Sequence, residues 1–109
     1  MMTHLRAHPP SSIADRTVEE RRDYATGRFE RAGGAITKLA LPASNVISYL
    51  LDGGTRIVIR PSGTEPKLKY YIDHRELVSA EEPLIVAEQR ASAVIAAVDG
   101  AVAGLLRVH

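Results

Sequence analysis

Apolar and polar positions alternate most clearly between residues 46 and 72. Residues 46–51 are apolar and carry β-branched side chains, with Ile47, Tyr49 and Leu51 on one face of an extended chain. Asp52-Gly53-Gly54 is a tight-turn sequence leading into residues 55–60. A second turn-like stretch, Arg60-Pro61-Ser62-Gly63-Thr64-Glu65-Pro66-Lys67, leads into another strand-like run ending at Ile72. Its two prolines cannot donate ladder hydrogen bonds, and Gly63 can take a positive φ, so the eight residues read as a tight loop. Set Arg60 opposite Lys67. Then Ile59 faces Leu68, Val58 faces Lys69, Ile57 faces Tyr70 and Arg56 faces Tyr71. One face collects Ile57, Ile59, Leu68, Tyr70 and Ile72; the other collects Arg56, Arg60, Lys67 and Lys69. A slip by one residue would mix the two sets. Three successive antiparallel strands are expected.

The flanks are patterned less sharply. Residues 1–8 suit a short helix with Leu5 as its main apolar contact, ended by Pro9-Pro10. His4 and His8 stand at i and i+4, a metal-binding spacing, but no carboxylate or third histidine lies near them in sequence. Residues 11–25 set Val18 and Tyr24 among Glu19, Glu20, Arg21, Arg22 and Asp23. A solvated helix and an edge strand both fit, and the charge run marks a solvated face. Residues 27–41, with Gly33-Gly34, read as a loop holding a short extended piece at 35–41, and 42–45 as a turn.

Ser79-Ala80-Glu81-Glu82 fits a capping box, with Pro83 placing the helix start nearer Glu82. Beyond it Leu84, Ala87, Ala91, Val94, Ile95, Val98, Val102 and Leu105 trace one helical face. That stripe is expected to pack on the chain's own sheet; a bundle helix or a dimer face would show the same spacing. Gly100 and Gly104 each weaken a helix by ~1 kcal/mol relative to alanine, so fraying after Asp99 is expected.

Composition narrows the function classes. The chain has 109 residues, 45% of them hydrophobic and 5% aromatic, so aliphatic side chains must supply most of a single-domain core. A net charge of +1 does not mark a nucleic-acid binder. The absence of cysteine rules out disulfides and thiol catalysis and is compatible with a cytoplasmic setting. No continuous apolar run of membrane-spanning length is evident, so no membrane partner is expected.

The loop at 60–67 carries the candidate chemistry. Arg60 and Lys67 bring charge, Ser62 and Thr64 bring hydroxyls, and successive amides around Gly63 can form an anion-binding concavity. A plain hairpin turn, with Ser, Gly and Pro acting only as turn formers, gives the same local pattern. It leaves the cations on both sides of the turn without a role.

Arg60-Pro61-Ser62-Gly63-Thr64-Glu65-Pro66-Lys67, followed by an apolar strand, resembles the phosphate-binding loop of the α-D-phosphohexomutases, the phosphoglucomutase and phosphomannomutase superfamily. That loop lies in the last of the family's four domains. Pro9-Pro10, Ile13, the Leu41-Pro42-Ala43-Ser44-Asn45 approach and a closing helix extend the resemblance. It implies that residues 1–109 are one C-terminal domain. The expected fold is an α+β two-layer domain: about four antiparallel strands with helices on one face, TATA-binding-protein-like.

In the enzymes it resembles, a phosphoserine donates its phosphoryl group to a hexose monophosphate. The bisphosphate then turns round, so that phosphate moves between the 1 and 6 positions. The resemblance gives Arg60, Ser62, Gly63, Thr64 and Lys67 the grip on the phosphate that is not reacting. Glu65 matches too; as an anion it would orient Arg60 or Lys67, or accept from loop amides. No Asp-x-Asp run is present for Mg²⁺, since Asp15, Asp23, Asp52, Asp73 and Asp99 are scattered, and no second serine motif marks the phosphoryl carrier. Mg²⁺ and the phosphoserine are therefore expected in upstream domains of the same enzyme, and this chain by itself is expected to be inactive. The expected partners are those upstream domains and a hexose phosphate. Lys67-Leu68-Lys69-Tyr70-Tyr71 looks more like the glucose and mannose branches than the glucosamine branch. Two other classes stay open: a free-standing anion- or phospho-ligand-binding module without catalytic activity, and a structural or dimerisation domain with an inert turn.

Overall fold

Apolar runs over residues 47–51, 55–61 and 68–74, alternating with polar positions in the last two, form three neighbouring strands, and the rest of the sheet lies beside them. The computed structural model describes residues 2–38, 43–61 and 68–107. In chain order the elements are α1 (Met2–Ala7), β1 (Ser12–Ile13), β2 (Arg16–Asp23), β3 (Arg28–Arg31), β4 (Ile36–Lys38), β5 (Ile47–Leu51), β6 (Thr55–Pro61), β7 (Leu68–His74) and α2 (Leu84–Arg107). The antiparallel sheet runs β4-β3-β2-β5-β6-β7, with β1 folded onto β2 as a hairpin.

Both helices contribute to one core. Met2 and Leu5 of α1, and Val98, Val102 and Leu106 of α2, join Ile47, Tyr49, Leu51, Ile57 and Ile59 on a single sheet face. The expected α+β architecture is present, with seven strands among the described residues rather than about four. The excess lies partly in residues 27–41, expected to be mostly loop, which hold β3 and β4. Of these, β3 is tied to β2 by charge rather than by apolar alternation. Glu30 pairs with Arg21 at 3.3 Å and with Arg28, while Phe29 lies beneath the guanidinium groups of Arg22 and Arg31, at 4.6 and 4.9 Å from its centroid.

The β6–β7 register differs from expectation by two residues. Ile57 faces Ile72, Val58 faces Tyr71, Ile59 faces Tyr70, and Arg60 faces Lys69 rather than Lys67. A two-residue shift preserves parity, so the described members of the apolar and cationic sets keep their faces. Pro61, expected in the loop, ends β6 opposite Leu68. The Arg75 amide donates to the Gly54 carbonyl at 3.1 Å. By alternation this makes Pro61–Leu68 a non-hydrogen-bonded pair, so Pro61 owes no N–H to β7.

The charge run of residues 19–23 is not wholly solvated. β2 lies between β3 and β5, and Arg21 and Asp23 turn inward and are buried. Asp23 accepts from Arg6 of α1 at 3.0 Å, and its other oxygen accepts from the Ala25 and Thr26 amides. Burial by itself would raise the Asp23 pKa, but those bonds outweigh it and the net shift is downward.

The capping-box residues form their reciprocal bonds ahead of the helix. The Glu81 amide donates to Ser79 Oγ at 3.3 Å, and the Ser79 amide to Glu82 Oε1 at 3.4 Å. They close a turn, and α2 starts after Pro83. Arg90 ties that turn down by donating to Glu76, Glu82 and the Leu77 carbonyl. Instead of fraying after Asp99, α2 continues to Arg107, because Val102 and Leu106 are buried against the core. The segment Leu84–Leu106 is also long and apolar enough to cross a membrane on length and composition alone, contrary to expectation. Alanines between the larger side chains raise its average hydropathy without an unbroken apolar run. Val98 and Val102 pack on the sheet, while only 11% of its most apolar stretch is buried.

Candidate phosphate-binding site

The face of β5–β7 opposite the helices carries three of the four expected cations, Arg56, Arg60 and Lys69. Arg60 is exposed at the end of β6, beside Lys69 across the ladder. Arg56 lies further down the same face opposite Asp73. The pair Pro61–Leu68 is the last rung of the ladder, with residues 62–67 between its two members in sequence. Of the six loop residues assigned from sequence, the structure places Arg60. Ser62, Gly63, Thr64, Glu65 and Lys67 lie outside the described residues.

Arg60 is held in place. Its Nη2 donates to the Tyr71 hydroxyl at 3.0 Å, and its guanidinium carbon lies 5.5 Å from the Tyr71 ring centroid. That hydrogen bond, together with the nearby charge, lowers the Tyr71 phenol pKa. Tyr71 is a diagonal neighbour of Arg60 across the β6–β7 pair, two residues beyond Lys69. Sequence reasoning set Tyr71 opposite Arg56 and gave it no role at the site. The signal was present, since Tyr71 shares parity with Lys69, but the two-residue register error moved it away from Arg60.

Two clefts on this face share Arg56. One, of about 240 Å³, is lined by Tyr24, Ser44, Val46, Ser48, Arg56 and Val58; the other, of about 290 Å³, by Leu50, Gly54, Arg56, Asp73 and Arg75. Elsewhere, the His4 and His8 rings stand 4.6 Å apart. No group of three His, Cys, Asp or Glu side chains that could hold a metal gathers among the described residues.

The comparisons with known proteins point the same way. A family model described as "Phosphoglucomutase/phosphomannomutase, C-terminal domain" matches residues 15–82. The match takes in β2 to β7 and stops before α2. A phosphoglucomutase from Staphylococcus aureus strain MRSA252 is 41% identical over 73 residues, covering 66% of this chain and 13% of the relative. The phosphoglucomutase of strain MSSA476 matches to the same extent, and that of the bovine strain RF122 is 40% identical over 73 residues. The chain thus matches about 13% of the length of these curated relatives. No solved structure matches it. The chain belongs to the phosphoglucomutase/phosphomannomutase family, in its C-terminal domain.

Proposed function

We propose that residues 60–67 grip the non-reacting phosphate of a hexose phosphate, within a phosphoglucomutase-type enzyme that moves phosphate between the 1 and 6 positions. The supporting observation is the exposed Arg60 guanidinium, fixed by Tyr71 where the β6–β7 ladder ends and beside Lys69. A guanidinium offers parallel donors that match two phosphate oxygens, and holding it in advance reduces the ordering needed on binding. Ser62 and Thr64 would add hydroxyl donors, the amides around Gly63 would add backbone donors, and Lys67 a point charge. Glu65 would orient the cations. A phosphate held far from the reacting bond contributes by positioning: binding energy there orients the group that reacts. The Mg²⁺ and phosphoserine implied by the resemblance would belong to other domains. The chemistry they would supply is charge neutralisation and phosphoryl donation.

The test is affinity for glucose 6-phosphate. Weak binding is expected, with Kd on the order of millimolar. Arg60→Ala should remove most of it, Lys67→Ala should weaken it less, and Arg56→Ala least. Folding stability should hardly change, because Arg56 and Arg60 lie on the face opposite buried Ile57 and Ile59. Binding by Arg60→Ala equal to that of the parent would refute the assignment.

A further inference from the structure

β7 ends the sheet path, with no strand beyond it among the described residues. The Arg75–Gly54 hydrogen bond sets the alternation along β7, so that Lys69, Tyr71 and Asp73 direct their backbone groups toward β6. The even-numbered residues, Ile72 among them, direct theirs to the open side. Such an edge invites another strand, and proteins commonly blunt it with like charges that repel a second copy. This edge is charged in the opposite sense. Lys69 and Asp73 stand two residues either side of Tyr71, with opposite signs.

We propose that β7 pairs antiparallel with β7 of a second copy of this chain, about a two-fold axis at Tyr71. In that register Lys69 meets Asp73 of the second copy twice, Tyr70 meets Ile72 twice, and Tyr71 meets itself. Even-numbered residues pair with even-numbered ones, as the outward backbone groups require. The Lys69–Asp73 and Tyr71–Tyr71 pairs fall at non-hydrogen-bonded positions, where side chains approach most closely. Moving the axis to Tyr70 sets Lys69 against Tyr71, and moving it to Ile72 sets Asp73 against Tyr71. Only the Tyr71 axis matches opposite charges.

The helix face agrees. A cleft of about 470 Å³ runs between β7 and α2, lined by Tyr70, Ile72, Ser92, Ile95, Ala96 and Asp99. Tyr70 and Ile72 are only half-buried, and Ile95 is 39% exposed. Leu84 and Ile85, in the first turn of α2, are 62% and 60% exposed. A two-fold axis normal to the sheet brings both copies of α2 to the same side of the seam, where Tyr70, Ile72 and Ile95 gain apolar neighbours.

Sedimentation of the chain over a dilution series tests this. A monomer–dimer equilibrium is expected. Asp73→Lys should raise the dimer dissociation constant about tenfold, because like charges then meet twice. The Lys69→Asp/Asp73→Lys double variant should restore association. The chain contains no cysteine. Oxidised Tyr71→Cys should therefore form one disulfide-linked dimer, whereas Lys69→Cys should not, since its two copies would lie ~13 Å apart along the strand, beyond disulfide reach. A chain that stays monomeric throughout, or a dimer that ignores the charge swap and leaves Tyr71→Cys unlinked, would overturn the proposal.

Discussion

Tyr49 shows how much a single core residue can hide. It is fully buried on β5, and its hydroxyl has no hydrogen-bond partner among the described residues. Its strand partner Arg21 is buried too, with Nη2 on Glu30 and with Nε and Nη1 unpartnered. Burial pushes the Tyr49 phenol up to about 12. A raised pKa in the folded state means stability that is complete below the ordinary value of about 10 and is lost as pH climbs toward about 12. Tyr49→Phe removes the unpaired hydroxyl and should be neutral or stabilising by up to ~1 kcal/mol at neutral pH. Denaturant unfolding at neutral and alkaline pH would show this, with the Tyr49→Phe variant losing less stability than the parent above pH ~10. Equal alkaline losses would show that Tyr49 is not the titrating group. The sequence marked Tyr49 as a core position by its alternation with Ile47 and Leu51. Nothing in it showed that Arg21, within a run of charges, would be buried beside it, because that depends on β2 lying between two other strands.

At the scale of elements, glycines of two kinds separate turn from helix. Gly54 has φ 90°, and a Cβ built there would lie 3.0 Å from the Arg75 carbonyl oxygen. Gly100 sits within α2 with open space around it. Gly54→Ala should therefore cost ~1–3 kcal/mol, and Gly100→Ala should add ~1 kcal/mol. Chemical denaturation of both variants checks the opposite signs; a shared sign would contradict this account of the turn or of the helix. The β5–β6 hairpin was legible because Asp52-Gly53-Gly54 interrupts two alternating runs. The short β4 strand falls within the extended piece expected at 35–41, but β3 was not legible, because Glu30 and Arg31 pair with Arg21 and Glu20 of β2 by charge and leave only Phe29 as an apolar mark. The β6–β7 register was legible in parity but not in phase, since a shift of two residues leaves every side chain on its own face.

Across the whole molecule, the two sheet faces divide the work. The helices cover one face and supply the core, while the other presents Arg60, Lys69 and Tyr71 around the end of the β6–β7 ladder, with Arg56 further down. The family match ends at residue 82, yet α2 supplies Val98, Val102 and Leu106 to the core, so the matched sheet depends on the helix beyond it. This separation allows cations at the ladder's end to be exchanged without unfolding the sheet. The proposed grip therefore comes down to where a sugar phosphate touches the parent chain. Amide-shift NMR titration with glucose 6-phosphate measures that directly. The largest shifts should fall on residues 60–69 and on Tyr71, with those of α1 unmoved. Largest shifts on His4 and His8, or a response spread evenly over the chain, would contradict it.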